Sequence, residues 1–464
     1  GQKVHSSFSD IEESVDLAVI TVPAKDCLAV LKDIVDSKKA KSVLIISAGF
    51  GEAESGKELN EQMKKILEGS GVRVIGPNSM GLSVSADDAN YYLFFQGPGK
   101  LKIPSRGKNN IAFISQSGGE IIDELGQRMQ AAGAAAVVST GNQLDVGPAD
   151  LLGYFRKRPD IDVLAFYIES FKPGEGEAFT KEAEKAKKAG KTVIVLKAGK
   201  TTEAAQATAS HTSNVAGDYD NAVAALRQAG VWVVKTPTEL EDAIRISSSP
   251  ASKNVVDRRT AVTSVGGADC IQAVEEKGSL IFTKLSDDDK ASLKKIVPPI
   301  VDIKIPLDMS GAMKASKMLE VMERLISSED VDNLVVGLIP SVPGLGIDMD
   351  KVGPIGRSLT KVIAAKSIGG VGVSLEDVLG DETVQKHVLE AMQLKPEDSG
   401  ASELVKGIVR LSEEYKKPII MSLIGTRMDY PAEYEALEGA GFAVFPDMQR
   451  AVSALNKYAE NRLG

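Results

Sequence analysis

Short apolar, β-branched runs alternate with amphipathic stretches along most of the chain. Residues 17–22 read as a buried strand, followed by apolar positions at helical spacing over 25–37. Residues 42–47 predict a second strand, 56–67 a charged helix, and 72–75 a third strand ending in Gly76-Pro77-Asn78. After the Gly- and Pro-bearing connection 96–110 the rhythm resumes, with strands expected at 111–114, 163–168, 192–196 and 231–234. A helix is predicted from Thr236 as N-cap, with Pro237 in its first turn and Glu239 completing a capping box. A Ser-rich linker is expected at 247–254, then strands at 260–265, 333–339, 418–423 and 443–445. Strands alternating with helices in this way imply parallel sheets covered on both faces. The Gly-, Asp- and Glu-rich stretch 344–402 breaks the rhythm and reads as an inserted subdomain or lid.

Two segments open alike. Residues 111–114 run into Ser115-Gln116-Ser117-Gly118-Gly119 and a helix expected to carry Ile121, Ile122, Leu125 and Met129 on one face. Residues 260–265 run into Gly266-Gly267 and a helix with Cys270, Ile271 and Val274. The start of the chain lacks a G-x-G-x-x-G turn and has no strand ahead of residue 10, so residue 1 is read as lying inside its domain.

Composition narrows the class. An apolar fraction of 43% beside 26% charged residues suits a globular protein, and 464 residues suit several domains. A net charge of −9 disfavours nucleic acid as the main partner, since phosphate-backbone binding needs a basic footprint. Two cysteines and three histidines are too few for a disulfide framework or a multi-His metal centre, so no metal is expected. No apolar run reaches the roughly 18 residues of a membrane span, and no signal peptide opens the chain. The expectation is a cytoplasmic, multidomain protein with no membrane partner.

Chemistry concentrates at a few points. A strand feeding a helix through Ser and Gly exposes unpaired helical amides at the positive end of the helix dipole, which suits an anion. An ordinary βα turn has the same look. His211 sits in the polar loop 209–217, away from any core stripe, and a neutral imidazole there suits phosphoryl transfer. Glu169 ends the apolar strand 163–168, where a carboxylate has no packing role, and is the candidate to orient that ring. A lone loop His or a solvated strand end would be the plainer explanation of each. His5 and His387 read as ordinary polar positions.

Taken in order, Ser47-Ala48-Gly49-Phe50-Gly51, Ile75-Gly76-Pro77-Asn78-Ser79-Met80-Gly81, Ile114-Ser115-Gln116-Ser117-Gly118, Tyr167-Ile168-Glu169, Val195-Leu196-Lys197-Ala198-Gly199, Ser210-His211-Thr212, Arg227-Gln228-Ala229-Gly230-Val231 and Ile305-Pro306-Leu307-Asp308 form a series. This series resembles the α subunit, or α half, of the NDP-forming acyl-CoA synthetases, a family that includes ADP-forming acetyl-CoA synthetase and is related to succinyl-CoA synthetase. The resemblance implies an α/β protein: a Rossmann-like CoA-binding domain at 1–98 lacking its first βαβ unit, then two flavodoxin-like ligase domains at 108–246 and 258–464. It implies the reaction acyl-CoA + ADP + phosphate ⇌ carboxylic acid + CoA + ATP, through acyl phosphate and phosphohistidine. His211 matches the phosphorylated histidine and Glu169 its supporting carboxylate. Ser115, Gln116, Ser117, Gly118 and Gly119, with Val265, Gly266 and Gly267, match the two helix ends that hold phosphate. Val22, Pro23, Ala24, Ile46, Ser47, Ala48, Pro77 and Asn78 match contacts to coenzyme A.

The same resemblance implies an ATP-grasp β subunit or domain carrying ATP or ADP with Mg, a short-chain acyl-CoA or carboxylic acid as substrate, and an oligomer. Ser213 stands where the family usually has Gly, and the turn 264–267 is less rich in Gly and Pro than is usual. The competing expectation is a CoA-sensing module with a degenerate ligase site. A dinucleotide dehydrogenase is disfavoured by the missing glycine fingerprint.

Overall fold

A computed structural model describes residues 4–50, 54–85, 90–95, 109–123, 133–204, 218–309, 313–338, 400–425, 427 and 430–464. His211, His387 and nearly all of the expected insertion at 344–402 lie outside the described residues. The chain divides into two compact units, Gly1–Ser248 and Ser249–Gly464.

The first unit holds two sheets. β1 (Val15–Ile20), β2 (Ala40–Ile45) and β3 (Arg73–Ile75) pair in parallel in that order, with α1 (Ala24–Ser37) and α2 (Glu54–Leu67) as the crossovers. α1 buries Cys27, Leu31 and Ile34, the spacing of one helical face. The second sheet is built from β4 (Leu82–Ser85), β5 (Asn90–Tyr92), β6 (Ile111–Ser115), β7 (Ala134–Ser139), β8 (Val163–Ile168), β9 (Thr192–Lys197) and β10 (Trp232–Val234). Its order is β10-β9-β8-β6-β7-β4-β5, parallel from β10 to β7 and antiparallel at β4 and β5. Counted from β6, the parallel part has the 2-1-3-4-5 order of flavodoxin-like sheets.

Every residue of β6 and β7 is buried, as expected of central strands covered on both faces. The covering helices described are α3 (Gly118–Asp123), α4 (Pro148–Phe155), α5 (Glu175–Lys188), α6 (Tyr219–Gln228) and α7 (Pro237–Ser248). Phe166 of β8 meets Phe179 of α5 edge to face at 5.0 Å, and burial of each such ring contributes roughly 1.5–3 kcal/mol. α7 starts as the sequence predicts, with the Glu239 amide donating to Thr236 Oγ1 at 3.1 Å. The Glu239 carboxylate accepts from the Lys235 amide, one residue earlier than a standard capping box would place it.

The second unit repeats the plan. β11 (Arg259–Ser264), β12 (Ile281–Phe282), β14 (Asn333–Leu338), β15 (Ile419–Leu423) and β16 (Ala443–Phe445) form a parallel sheet in the order β12-β11-β14-β15-β16, while the two-residue β13 (Leu307–Asp308) pairs with β11. This is again 2-1-3-4-5. Its helices are α8 (Gly267–Glu275), α9 (Asp287–Leu293), α10 (Ala315–Ser327), α11 (Gly400–Tyr415), α12 (Pro431–Gly439) and α13 (Met448–Leu463). No helix among the described residues is long and apolar enough to cross a membrane.

Several expectations are corrected. In α3, Ile121 is buried but Ile122 is 37% exposed, and Leu125 and Met129 lie outside the described residues. In α8, Ile271 and Val274 are 64% and 54% exposed, and the buried positions are Asp269 and Ala273. The helix is rotated so that its small and hydrogen-bonded residues face the sheet. The Ser-rich stretch at 247–254 is not an open linker: Ser247, Ser249 and Ser252 are buried, the first at the end of α7 and the last in a 3-10 turn. Ser249 Oγ donates to Gly441 O at 2.7 Å, 192 positions away, and Ser248 Oγ donates locally to Arg245 O.

Candidate functional site

The three segments expected to contact CoA meet at the C-terminal edge of the β1–β3 sheet. Ser47 Oγ donates to Val22 O, the Ile46 amide donates to Ile20 O at 3.0 Å, and the Asn78 amide donates to Ser47 O at 2.8 Å. Gly76 makes this junction possible. Its φ is +102°, and a Cβ there would lie 2.3 Å from Ile45 O, so no side chain fits.

The next few residues lead to the second sheet. Ser79 Oγ donates to Ser139 O, and the Met80 amide donates to Ser139 Oγ. Met80 is buried against Gly118, where an added Cβ would come within 3.1 Å of Met80 Cβ. Residues 77–80 therefore run from the expected CoA edge to the start of α3. From the other side, the Thr140 amide donates to Ser115 O, and the Asn142 and Leu144 amides donate to Pro77 O and Gly76 O.

In the second sheet the strand order reverses between β6 and β8, whose neighbours β7 and β9 lie on opposite sides. Ligands of open α/β sheets bind at the carboxyl ends of strands at such a switch point. Ser115 and the turn 116–119 leave β6 there, and Glu169 leaves β8. Gln116 joins the two. Its Oε1 accepts from the Glu169 and Ser170 amides, its Nε2 donates to Ser170 O at 3.0 Å, and its own amide donates to Tyr167 O. Gln116 is thus committed to holding the Glu169 loop, and the groups suited to an anion are the amides that open α3. Ser117 Oγ accepts from the Glu120 amide at 3.4 Å, as a weak N-cap.

Glu169 is 7% exposed. Its carbonyl accepts from Lys197 Nζ at 2.7 Å, and a second bond of the same length runs from Nζ to Ala198 O. Burial pushes the Lys197 ammonium down to about 8, with the negative charge of Glu169 acting the other way. Burial likewise pushes Tyr167 up to about 12, helped by the charges of Glu169 and Glu120. In the sequence Lys197 stands out only as part of the run Val195-Leu196-Lys197-Ala198-Gly199, with no role of its own. The signal was available: a charged residue ends the apolar strand β9 just as Glu169 follows β8.

The second glycine turn, Val265, Gly266 and Gly267, occupies the equivalent switch point of the second unit, between β11 and β14. Its surroundings are acidic. Ser264 Oγ donates to Asp269, and Asp308 Oδ2 lies 3.2 Å from where a Gly267 Cβ would be. An anion at this turn meets two carboxylates as well as the helix dipole. Burial, followed by the charges of Asp447 and Asp308, pushes the Asp269 carboxyl up from 3.8, and the Ser264 bond opposes this. Between the unfolded value of 3.8 and the raised folded one, the folded state holds a proton that the unfolded chain has released. That contribution to stability is complete below the unfolded value of 3.8 and is lost as pH rises through the folded one. Asp269→Asn is accordingly expected to raise the urea midpoint relative to the wild type by more at about pH 8 than at about pH 4. A difference that stays constant across that range would refute the assignment.

Cys270, half-buried beside this turn, is pushed up to about 12, first by burial and then by Asp308 and Asp269, which disfavours its thiolate. Among the described residues no group of three or more His, Cys, Asp or Glu could hold a metal ion.

Comparison with known proteins gives a consistent picture. Residues 108–247 match the succinyl-CoA ligase like flavodoxin domain, and residues 1–85 match a CoA binding domain. The chain is 33% identical over 352 residues to the acetate–CoA ligase [ADP-forming] II subunit alpha of Pyrococcus furiosus, covering 74% of this chain and 73% of the relative. It is 28% identical over 431 residues to the 4-hydroxybutyrate–CoA ligase [ADP-forming] of Nitrosopumilus maritimus, covering 89% of this chain and 58% of that one. Against the solved structure of the dinucleotide forming acetyl-coenzyme A synthetase 1 of Ca. Korarchaeum cryptofilum, in complex with phosphate and ADP, the TM-score is 0.73 at 26% identity. That match covers 100% of this chain and 87% of the other.

Proposed function

The chain belongs to the α-subunit family of the ADP-forming acyl-CoA ligases, and on that premise we propose that it catalyses, with an ATP-grasp β subunit or domain, acyl-CoA + ADP + phosphate ⇌ carboxylic acid + CoA + ATP. In this reading residues 1–98 hold coenzyme A, 108–246 carry the phosphohistidine loop, and 258–464 supply the second ligase domain.

The observation that carries the reading is the Gln116 link, which ties the glycine turn after β6 to Glu169 after β8 at one switch point. A phosphate oxygen attacks the thioester carbonyl and the CoA thiolate leaves, giving an acyl phosphate. A ring nitrogen of His211 then attacks the phosphorus and the carboxylate leaves. Glu169 accepts the N–H of the other ring nitrogen, which fixes the tautomer and stabilises the charged ring. The amides at the start of α3 offer the phosphoryl oxygens fixed donors without a metal ion on this chain. An oxygen of the ADP β-phosphate, bound on the ATP-grasp partner where Mg²⁺ would neutralise its charge, then attacks the phosphorus, and the P–N bond to His211 breaks to give ATP and the neutral ring. Short acyl chains are assigned as substrates, and the cytoplasm as compartment, where Cys27 and Cys270 remain unpaired.

The experiment is reconstitution of the chain with its ATP-grasp partner and measurement of acyl-CoA-dependent ATP formation from ADP and phosphate. Turnover that requires all three substrates is the expected result. CoA binding without turnover under these conditions would point to a binding module instead.

A further inference from the structure

β9 is the apolar run Thr192–Lys197, buried at four consecutive positions and then closed by a lysine. An ammonium there loses hydration, so it needs compensating acceptors. The structure supplies two backbone carbonyls, Glu169 O and Ala198 O, both at 2.7 Å. The aromatic ring of Tyr219, which opens α6, has its centroid 5.9 Å from Nζ. Lysine thus reaches across from β9 to the loop that follows β8, at the switch point.

On the far side of the same peptide stands Gln116. It grips the Glu169 and Ser170 amides, while Lys197 grips the Glu169 carbonyl. The backbone that presents the Glu169 side chain is held from both ends. One holder comes from the expected phosphate turn and the other is a cation.

Resting on the proposed phosphohistidine chemistry, we infer that Lys197 is a positioning residue for phosphoryl transfer: it fixes the peptide that presents Glu169, the proposed partner of His211, and brings a positive charge to that backbone. Its role is distinct from that of Gln116, because it brings a charge as well as hydrogen bonds. A buried neutral side chain could reproduce the packing of the lysine stem but neither effect.

The test uses the reconstituted enzyme with its ATP-grasp partner, acetyl-CoA and radiolabelled phosphate, reading label on His211. Lys197→Met is expected to slow labelling about 10–100-fold, the range typical of groups that orient a primary ligand, with the KM for acetyl-CoA changed less than about twofold. Lys197→Arg should retain more activity than Lys197→Met, and added ethylammonium should restore labelling in Lys197→Ala in a concentration-dependent way. Wild-type labelling rates in Lys197→Met would overturn the inference. So would a loss that neither arginine nor ethylammonium relieves, since that pattern belongs to a purely structural lysine. A wild type that takes no label on His211 would overturn the phosphohistidine reading and this inference together. A labelled wild type with an undiminished methionine variant would overturn this inference alone.

Discussion

His211→Asn is expected to abolish ATP formation in the reconstituted enzyme, a loss of at least about a thousandfold, as when the nucleophile of a covalent mechanism is removed. A neutral imidazole is nucleophilic near pH 7, whereas a carboxamide is not, and asparagine keeps the polarity and approximate reach of the loop residue. The first half of the reaction needs no imidazole. Phosphate attack on the thioester should therefore continue in the variant, with CoA thiol released and acyl phosphate formed up to the amount that the enzyme can hold or discharge. The pair of measurements is thiol release, followed with a chromogenic disulfide, and ATP formation, followed by a coupled assay. ATP formation within tenfold of the wild type would remove His211 from the mechanism. Loss of both signals would mean that the loop also serves the thioester step.

Glu169→Gln is expected to lower the rate of His211 phosphorylation about 10²–10⁴-fold, by analogy with loss of the carboxylate that orients a catalytic histidine elsewhere. The substitution preserves volume at a position 7% exposed. The backbone of the loop is held independently of the side chain, by Gln116 on its amides and Lys197 on its carbonyl, so the fold should persist. What changes is the charge. An amide can still accept from the ring N–H, but it cannot stabilise the positive imidazole that develops on phosphorylation, and it can present its NH₂ instead and select the wrong tautomer. Removing the negative charge also removes the influence that holds the Lys197 ammonium up, so its pKa should fall further below about 8. Rapid-quench measurement of phosphohistidine formation checks the rate, and the thermal midpoint checks the fold. An unchanged phosphorylation rate would show that Glu169 is only a strand end.

Much of this arrangement was legible in the sequence, and the exceptions have identifiable causes. β8 and β16 run where the periodicity places them, and most other recognised strands differ by one or two residues at an end. β7 was passed over because Ala134, Ala135 and Ala136 open it, and alanine carries no strand signal. The helix after β11 carries the apolar Ile271 and Val274, and apolar residues usually face inward. In the structure Asp269 takes that face, bonded to Ser264, and the apolar pair is left outside. Glu169 was recognised because a carboxylate after an apolar strand has no packing explanation. The identical argument applied to Lys197, but a lysine is so often a solvated strand end that the signal carries little weight alone.

The identities of the chemical groups were determined by the sequence: a histidine in a small-residue loop, glycine turns after two strands, a carboxylate after a third. So was the alternation of strand and helix, because turn residues and apolar periodicity act over a few neighbouring positions. Which strand ends become neighbours was decided only by the tertiary structure. Gln116 and Glu169 are separated by 53 positions, and Lys197 and Glu169 by 28. They meet because β8 and β7 pack on opposite sides of β6, and because β9 then follows β8 outward. That order is set by how crossover helices bury their apolar faces against the whole sheet, a global packing outcome that no local run of residues encodes.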